Sequence, residues 1–270
     1  MRLGFIGAGR MGRPMIERLA AAGHELCTPA RSDDAGDAGD GAGAVLVCVF
    51  DDEQVRDVCL GTGLLGRMPS GSVLVVHTTG SPRTAEAIAA EAGPRGIDVL
   101  DAPVSGGPHD IAAGRLTVFV GGADGAVARM RPVLGAYADP VLHVGPLGAG
   151  QGVKLVNNAL FGAHIGLLSH AVRLGALFGT GEAALLEALT HGSSASRALS
   201  GVAPRGSVAA FAEAVGGFLG KDVAVVREVA AELGGDIGAL APALDALAEN
   251  VPPAGGTGGP QATTRAAGRA

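Results

Sequence analysis

The sequence predicts an α/β domain built on a mostly parallel sheet, followed by an all-α domain. Over the first half of the chain, short apolar runs alternate with helical patterns, the order that places helices on both faces of a parallel sheet. After Gly152 the apolar residues recur at helical spacing, and no further strand is predicted. The 270 residues are 47% apolar, which supplies material for a core in each part.

Strands are predicted at short apolar segments bounded by glycine, proline or polar residues. The segment "AVLVCVF" at 44–50 is apolar throughout, as a parallel strand buried on both faces requires. The predicted strands are 2–7, 25–29, 44–50, 72–78, 98–104, 116–122 and 141–145.

Helices are predicted from Arg10 to Ala22, after the cap Ser81-Pro82, and over a long apolar segment at 151–178. Gly162 and Gly166 in the long segment allow another helix to approach closely. We predict an α/β cofactor domain at 1–152 and a helical domain at 153–250. The Pro-, Gly- and Thr-rich segment 251–270 is predicted to be a disordered tail.

Composition argues against several classes of function. The net charge is −6, there is no Trp and a single Tyr, and no basic stripe suggests nucleic-acid binding. No apolar run approaches the length of a membrane span, and no secretion signal is predicted at the N-terminus. The three cysteines and seven histidines lack metal-ligand spacing, so no metal site is predicted. We expect a cytoplasmic protein.

A glycine-rich turn, "GAGRMG", follows the first predicted strand and precedes a helix. This G-x-G-x-x-G pattern in a strand-turn-helix context predicts a dinucleotide site, with the pyrophosphate at the helix N-terminus. Its residues are Gly7, Ala8, Gly9, Arg10, Met11 and Gly12. At the end of the second strand, Arg31 and Ser32 suit a 2′-phosphate, so NADP is favoured; NAD stays open because Asp33 and Asp34 follow.

Lysine is rare in this chain: it occurs only at Lys154 and Lys221, among twenty basic residues. Arginine replaces lysine easily on a solvated surface, but not where the amine must release a proton. Lys154 lies in an otherwise apolar helical segment, and Asn158, four residues later, shares its helix face. A desolvated lysine exchanges protons near neutral pH, so Lys154 is a candidate acid/base.

A second glycine-rich loop follows the strand predicted at 98–104. Ser105, Gly106 and Gly107 combine a hydroxyl donor with accessible backbone N–H groups at the edge where open α/β sheets bind ligands. Such a group of donors suits a carboxylate.

Four stretches in order, "GFIGAGRMGRPM", "DAPVSGGPHDIAAGRL", "GAGQGVKLVNN" and "GKDVAVV", resemble the β-hydroxyacid dehydrogenase family over about residues 1–250. This family includes 3-hydroxyisobutyrate dehydrogenase and tartronate semialdehyde reductase. The resemblance implies a Rossmann domain, a helical domain entered by a long helix, and a homodimer or homotetramer.

The resemblance also implies roles for individual residues. Lys154 would be the general acid/base, while Asn158 and the loop Ser105–Gly107 would hold the substrate's hydroxyl and carboxylate. Thr79 would lie near the nicotinamide ribose. Lys221 would close the site from the helical domain.

Two regions depart from the family pattern. Between Ser32 and Ala44 there are eleven residues, "DDAGDAGDGAG", where relatives carry a helix, a strand and another helix. We therefore expect the sheet to lack its outer strand and the adenosine site to be less enclosed. In the substrate loop, His109, Asp110 and Ile111 stand where the family often has small residues.

The sequence thus predicts an oxidoreductase that transfers hydride between NADP(H) and a short β-hydroxyacid/semialdehyde pair. Two alternatives stay open. One is an imine reductase-like enzyme, although those relatives usually carry Asp or Tyr where this chain has Lys154. The other is a non-catalytic NADP-binding protein, which the shortened 33–43 region motivates.

Overall fold

The structure is a computed structural model that describes residues 1–29 and 32–249, with Ser32 and Asp33 defined by their backbone only. The tail predicted at 251–270 lies outside the described residues. The strands are β1 (Arg2–Ile6), β2 (Glu25–Cys27), β3 (Ala44–Val47), β4 (Val73–Val76), β5 (Asp98–Asp101), β6 (Val104–Ser105), β7 (Leu116–Gly121) and β8 (Ala138–Gly145). The α-helices are α1 (Gly12–Ala21), α2 (Asp52–Arg56), α3 (Leu64–Arg67), α4 (Pro82–Ala92), α5 (Pro108–Ala112), α6 (Asp124–Leu134), α7 (Ala149–Leu177), α8 (Glu182–Thr190), α9 (Arg197–Val202), α10 (Val208–Glu232) and α11 (Leu240–Ala248).

The strands form one sheet in the order β2-β1-β3-β4-β5-β7-β6, with β8 beside β7. Strands β1 to β5 are parallel, and β7 runs antiparallel to β5 and β6. This confirms the predicted α/β domain with a mostly parallel sheet. In the part of the chain that the structure describes, β2 forms one end of the sheet, so the predicted absence of an outer strand is also confirmed.

The segment predicted as a single strand at 98–104 is divided in two. Strand β5 ends at Asp101 and pairs with β4 and, at Asp101, with β7, whereas β6 begins at Val104 and pairs with β7. Pro103 lies between them and has no N–H for a parallel ladder, while its carbonyl accepts the Phe119 N–H at 3.0 Å. The division leaves Asp101 at the carboxyl end of the parallel sheet.

Both faces of the sheet are covered by helices, as its apolar strands require. On one face, α1, α5 and α6 bury Met15, Leu19, Ile111 and Met130 against the strands. On the other, the helices between β3 and β5 form a second core; its buried side chains include Val55, Leu64, Leu65 and Ile88.

The short connection between β2 and β3 is a 3-10 helix, Ser32–Gly39. Ala35 and Ala38 of this helix are fully buried in the second core, so it covers part of the sheet although it is short. Arg67 of α3 forms ion pairs with Asp37 and Asp40, and it lowers the pKa of the Asp40 carboxyl. These contacts attach the connection to the body of the domain.

The described residues form two compact units, one within 1–158 and 224–235 and one within 159–223 and 236–249. The described part of the second unit is helical, as predicted. Its core includes Ile165, Leu186, Leu199 and Leu219. A Cβ on Gly166 would overlap the carbonyl oxygen of Ala243, which confirms that a neighbouring helix approaches α7 closely.

Helix α7 corrects one expectation from the sequence. This 29-residue helix is long and apolar enough to cross a membrane by length and composition, whereas the sequence predicts no run of that length. Core helices of soluble proteins satisfy the same criteria, so this property is weak evidence for a membrane span.

A buried polar pair joins the carboxyl end of β4 to the segment before β8. His77 and Tyr137 are both inaccessible to solvent; His77 Nδ1 lies 2.6 Å from the Ala102 carbonyl oxygen and Nε2 lies 2.8 Å from the Tyr137 hydroxyl. A carbonyl only accepts, so Nδ1 carries the proton and Nε2 accepts from Tyr137. Burial lowers the pKa of His77 to about 4, and the hydrogen bond to Ala102 opposes this only partly.

Replacing Gly4 tests how closely the 3-10 helix packs on β1. A Cβ at Gly4 would overlap the Ala38 carbonyl oxygen, so we expect Gly4→Ala to destabilise the protein by about 2 kcal/mol, measured by urea unfolding. Gly66→Ala in α3 is the control, because a Cβ there meets nothing within 4 Å. Equal stability of the two variants would contradict this packing.

Acid should destabilise the fold through His77. Its pKa lies below the ordinary 6.5, so the unfolded chain binds a proton that the folded protein excludes down to about pH 4. This contribution to stability is complete above pH 6.5 and is lost as the pH falls from 6.5 to 4, a change of about 3 kcal/mol.

His77→Gln should therefore lose less stability than the parent protein between pH 6.5 and 4. His191→Gln, which changes an exposed histidine, should keep the acid dependence of the parent protein. The measurement is the free energy of unfolding in urea at each pH. Parallel profiles for the parent and His77→Gln would show that His77 does not cause the dependence.

Candidate active site

The glycine-rich turn lies at the carboxyl ends of β1 and β3, where the sheet order reverses. From β1 the chain passes to β2 on one side, while β3 lies on the other; open α/β sheets bind ligands at such a switch point. Gly7 has φ +105°, and a Cβ there would overlap the carbonyl oxygen of Cys48. Only glycine fits this close approach of the two loops.

The turn fits a dinucleotide pyrophosphate. A Cβ on Gly9 would project into open space, and Ala8, Gly9 and Arg10 are exposed, so the backbone is accessible to a ligand. Within the described residues, no side chain caps the N-terminus of α1, which begins at Gly12 after the half-buried Met11. The Arg13 N–H is donated to the Gly9 carbonyl at 3.0 Å, and the positive end of the helix dipole lies beside the exposed turn.

The structure describes only part of the predicted 2′-phosphate site. Arg31 lies outside the described residues. Ser32 begins the 3-10 helix, and its side chain is not described. The preference for NADP therefore rests on the sequence alone.

The loops after β3 and β4 are fixed to each other. The Thr78 hydroxyl accepts the Val49 N–H and donates to the Val49 carbonyl, both at 3.0 Å. Asp52 accepts the Ser81 N–H at 3.2 Å and also the Thr84 hydroxyl at the start of α4. These bonds hold the half-buried Thr79, the predicted ribose contact, at the carboxyl edge of the sheet.

The first turn of α7 is bound to the end of β5. One carboxylate oxygen of Asp101 accepts the Gly148 N–H at 2.7 Å, and the other accepts the Gln151 N–H at 2.6 Å. Asp101 is fully buried, and burial raises its pKa although the backbone donors act in the opposite direction. A carboxylate at a helix N-terminus is also favoured by the helix dipole.

Gln151 joins this helix to the loop after β4. Its side-chain amide donates to the Thr78 carbonyl at 2.7 Å and accepts the Gly80 N–H at 3.0 Å. Gln151 is itself buried, so the amide is ordered by these partners rather than by water. The loop that contains Thr79 and the helix that contains Lys154 are thus directly connected.

Lys154 and Asn158 follow Gln151 on α7 at spacings of three and four residues. Both side chains are buried, with 9% of Lys154 and 4% of Asn158 exposed. The Asn157 amide donates to Asn158 Oδ1 at 3.0 Å. A buried lysine beside a buried amide, near the carboxyl edge of the sheet, is an arrangement suited to proton exchange with a substrate oxygen.

The predicted carboxylate loop lies where β6 ends. Ser105 pairs with Thr117 in the sheet, Gly106 is exposed, and the Gly107 N–H is donated to Asp110 Oδ2 at 2.7 Å. Asp110 thus caps α5 from within.

Lys221 belongs to the second unit. It lies in α10, its Nζ is 2.9 Å from Asp222 Oδ1, and its side chain is partly exposed. Its predicted role over the substrate stays a prediction.

Sequence reasoning missed three polar residues that organise the site: Asp52, Asp101 and Gln151. Asp101 and Gln151 lie inside motifs already singled out, "DAPVSGG" and "GAGQGVK". A charged or polar residue within such a buried stretch is the signal that could have identified them, because a buried polar group requires partners.

Two family models match the chain in succession. Residues 2–145 match the NAD binding domain of 6-phosphogluconate dehydrogenase, and residues 148–265 match the NAD-binding domain of NADP-dependent 3-hydroxyisobutyrate dehydrogenase.

Two proteins similar in sequence to this chain and one similar solved structure are named as dehydrogenases. A 3-hydroxyisobutyrate dehydrogenase from Pseudomonas aeruginosa is 33% identical over 81% of this chain and 78% of its own length. An NAD-dependent L-serine dehydrogenase from the same organism is 34% identical over 85% of each chain. The solved structure of Mycobacterium tuberculosis 3-hydroxyisobutyrate dehydrogenase with L-serine has a TM-score of 0.79 at 26% identity, covering 92% of both chains.

Proposed function

Because the chain belongs to the β-hydroxyacid dehydrogenase family, whose members are NAD(P)-dependent dehydrogenases, we propose that it interconverts a short β-hydroxyacid and the matching semialdehyde. The observation that carries this proposal is the buried pair Lys154 and Asn158 on a helix whose first turn is bound to Asp101 and to the loop after β4. The geometry suits a proton donor held at a fixed place beside a bound substrate.

Each residue of the proposed site has a separate role in the reaction. A nicotinamide, when bound, supplies or accepts the hydride. Lys154 donates a proton to the carbonyl oxygen when the semialdehyde is reduced, and it takes the proton back from the hydroxyl in the oxidation. Asn158 orients that oxygen, and Ser105 and Gly106 donate to the carboxylate. The low exposure of Lys154 keeps bulk water away from the proton transfer.

NADP is the proposed cofactor. A guanidinium at Arg31 and a hydroxyl at Ser32 suit a 2′-phosphate, and the second family model describes NADP-dependent enzymes. The L-serine dehydrogenase among the relatives is named as NAD-dependent, so the assay compares both cofactors.

The proposal includes self-association in the cytoplasm. Leu160, Leu167 and Leu174 recur at intervals of seven along α7, and 44%, 55% and 54% of these side chains are exposed. A heptad row of exposed leucines is typical of a helix that packs on another subunit. The three cysteines of the chain are free thiols, which suits a reducing compartment.

Lys154→Arg should keep the charge but lower turnover by about 10²–10⁴-fold, because a guanidinium does not release its proton. The measurement is absorbance at 340 nm with NADPH and NADH in separate reactions. The substrates are glyoxylate, succinic semialdehyde, methylmalonate semialdehyde and tartronate semialdehyde. Lys154→Met, which is neutral and of similar length, should be equally inactive.

NADPH binding, measured by fluorescence, controls for folding and should persist in both Lys154 variants. Near-normal turnover by Lys154→Arg would rule out the acid/base role. Silence of the parent enzyme toward all four aldehydes, with turnover of a cyclic imine, would favour the imine reductase-like alternative.

Leu167→Glu should convert the dimer or tetramer to a monomer in sedimentation velocity, because a charge in a desolvated apolar row is costly. Leu233→Glu changes another exposed leucine, outside the row, and should leave the assembly intact. A monomeric parent protein, or an unchanged assembly in Leu167→Glu, would contradict the proposed interface.

A further inference from the structure

Asp110 lies against the loop that is proposed to hold the substrate carboxylate. Its Oδ2 accepts the Gly107 N–H at 2.7 Å, and a Cβ on Gly106 would lie 2.8 Å from the same oxygen. Only 13% of the Asp110 side chain is exposed. The carboxylate is thus packed within the loop rather than directed into bulk solvent.

This contact reduces the number of donors that the loop offers. A backbone amide carries one proton, and that of Gly107 is already donated to Asp110. A substrate carboxylate bound by the loop is left with the Ser105 hydroxyl and the Gly106 N–H. The third donor expected from the Ser-Gly-Gly sequence is occupied by an anion of the protein itself.

Within the described residues, the basic side chain beside Asp110 is its neighbour in sequence, His109. His109 Nε2 lies 3.2 Å from Asp110 Oδ1, but 81% of the His109 side chain is exposed, so solvent screens this pair. A substrate whose charge at this end is only negative meets a second negative charge. A substrate that carries an ammonium group beside its carboxylate meets a complementary one.

We infer that Asp110 is a specificity-determining residue that makes the site favour β-hydroxy-α-amino acids over plain β-hydroxyacids. The inference rests on the proposed function, because it takes Ser105–Gly107 as the carboxylate site. It adds the class of substrate: a zwitterion, with its carboxylate on Ser105 and Gly106 and its ammonium near Asp110.

The test uses two substrates that differ only in the ammonium group, L-serine and 3-hydroxypropionate. The ratio of their kcat/KM values is measured with the same cofactor in the same preparation, so it does not depend on the fraction of folded enzyme. The parent enzyme should prefer L-serine. In Asp110→Asn the ratio should fall about tenfold, because the charge is removed while an oxygen remains for the Gly107 N–H.

Asp110→Ala should lower the ratio as much as Asp110→Asn, because it also removes the charge, while the freed Gly107 N–H acts on the carboxylate that both substrates share. Asp236→Asn is the matched control: Asp236 also accepts a backbone N–H, from Gly238 at 2.6 Å, but belongs to the second unit. Its ratio should equal that of the parent. An unchanged ratio in both Asp110 variants would overturn the inference and leave Asp110 as a helix cap only.

Calorimetric affinities of the two compounds for the NADP⁺-saturated protein separate this inference from the proposed function. A Kd ratio that shifts with Asp110 in a protein without turnover would support the inference and contradict the function. Turnover with a Kd ratio that does not change in the Asp110 variants would support the proposed function and contradict the inference. If neither compound binds, both the inference and the proposed site are wrong.

Discussion

The candidate site depends on one buried side chain, the Asp101 carboxylate, which accepts backbone N–H groups at the start of α7. The long helix α7 begins at Ala149, and the N–H groups at its buried start need acceptors. Asp101 supplies two of them from the end of β5. Because Lys154 lies one turn further along the same helix, its position relative to the parallel sheet follows from this contact. Gln151 adds the connection to the loop after β4, so the cofactor edge and the lysine are parts of one hydrogen-bonded body.

The amino-acid composition of the chain indicates that Lys154 serves as more than a positive charge. The sequence uses arginine at all but two basic positions, which shows that either cation suffices where only charge is needed. Lys154 is nevertheless kept, and only 9% of it is exposed to solvent. The residue type and its low exposure are both consistent with a proton-transfer role.

On the side of the sheet where the adenosine site is predicted, close packing compensates for a short connection between strands. The connection from β2 to β3 is a short 3-10 helix, yet the face of the sheet is still covered, because Ala35 and Ala38 are small enough to pack close to β1 and α3. Close packing thus covers this face of the sheet although the connection contains few residues. As a result β2 is an edge strand, and its Glu25 forms an exposed ion pair with Arg2. Charged side chains on an edge strand discourage pairing with another chain.

A large part of the fold could be predicted because it depends on local pattern. Apolar runs predicted the strands, periodicity predicted the helices, and the eleven-residue gap after Ser32 predicted the missing outer strand. The ends of strands were less predictable. The division of the 98–104 segment depends on which neighbour each residue pairs with, and Pro103 only indicates where the change occurs.

The sequence by itself determined the order of elements, the glycine turn and the choice of Lys154 and Asn158 as partners on one helix face, because each depends on residues close together in the chain. Only the tertiary structure decided which polar groups would be buried together. Asp101 and Gln151 meet across fifty positions, and His77 meets Tyr137 across sixty. The use of the Gly107 N–H by Asp110 is local, but its importance depends on the fold placing that loop at a substrate site. Such partners are selected by the requirement that every buried polar group be satisfied, and that requirement can be evaluated only when the chain is folded.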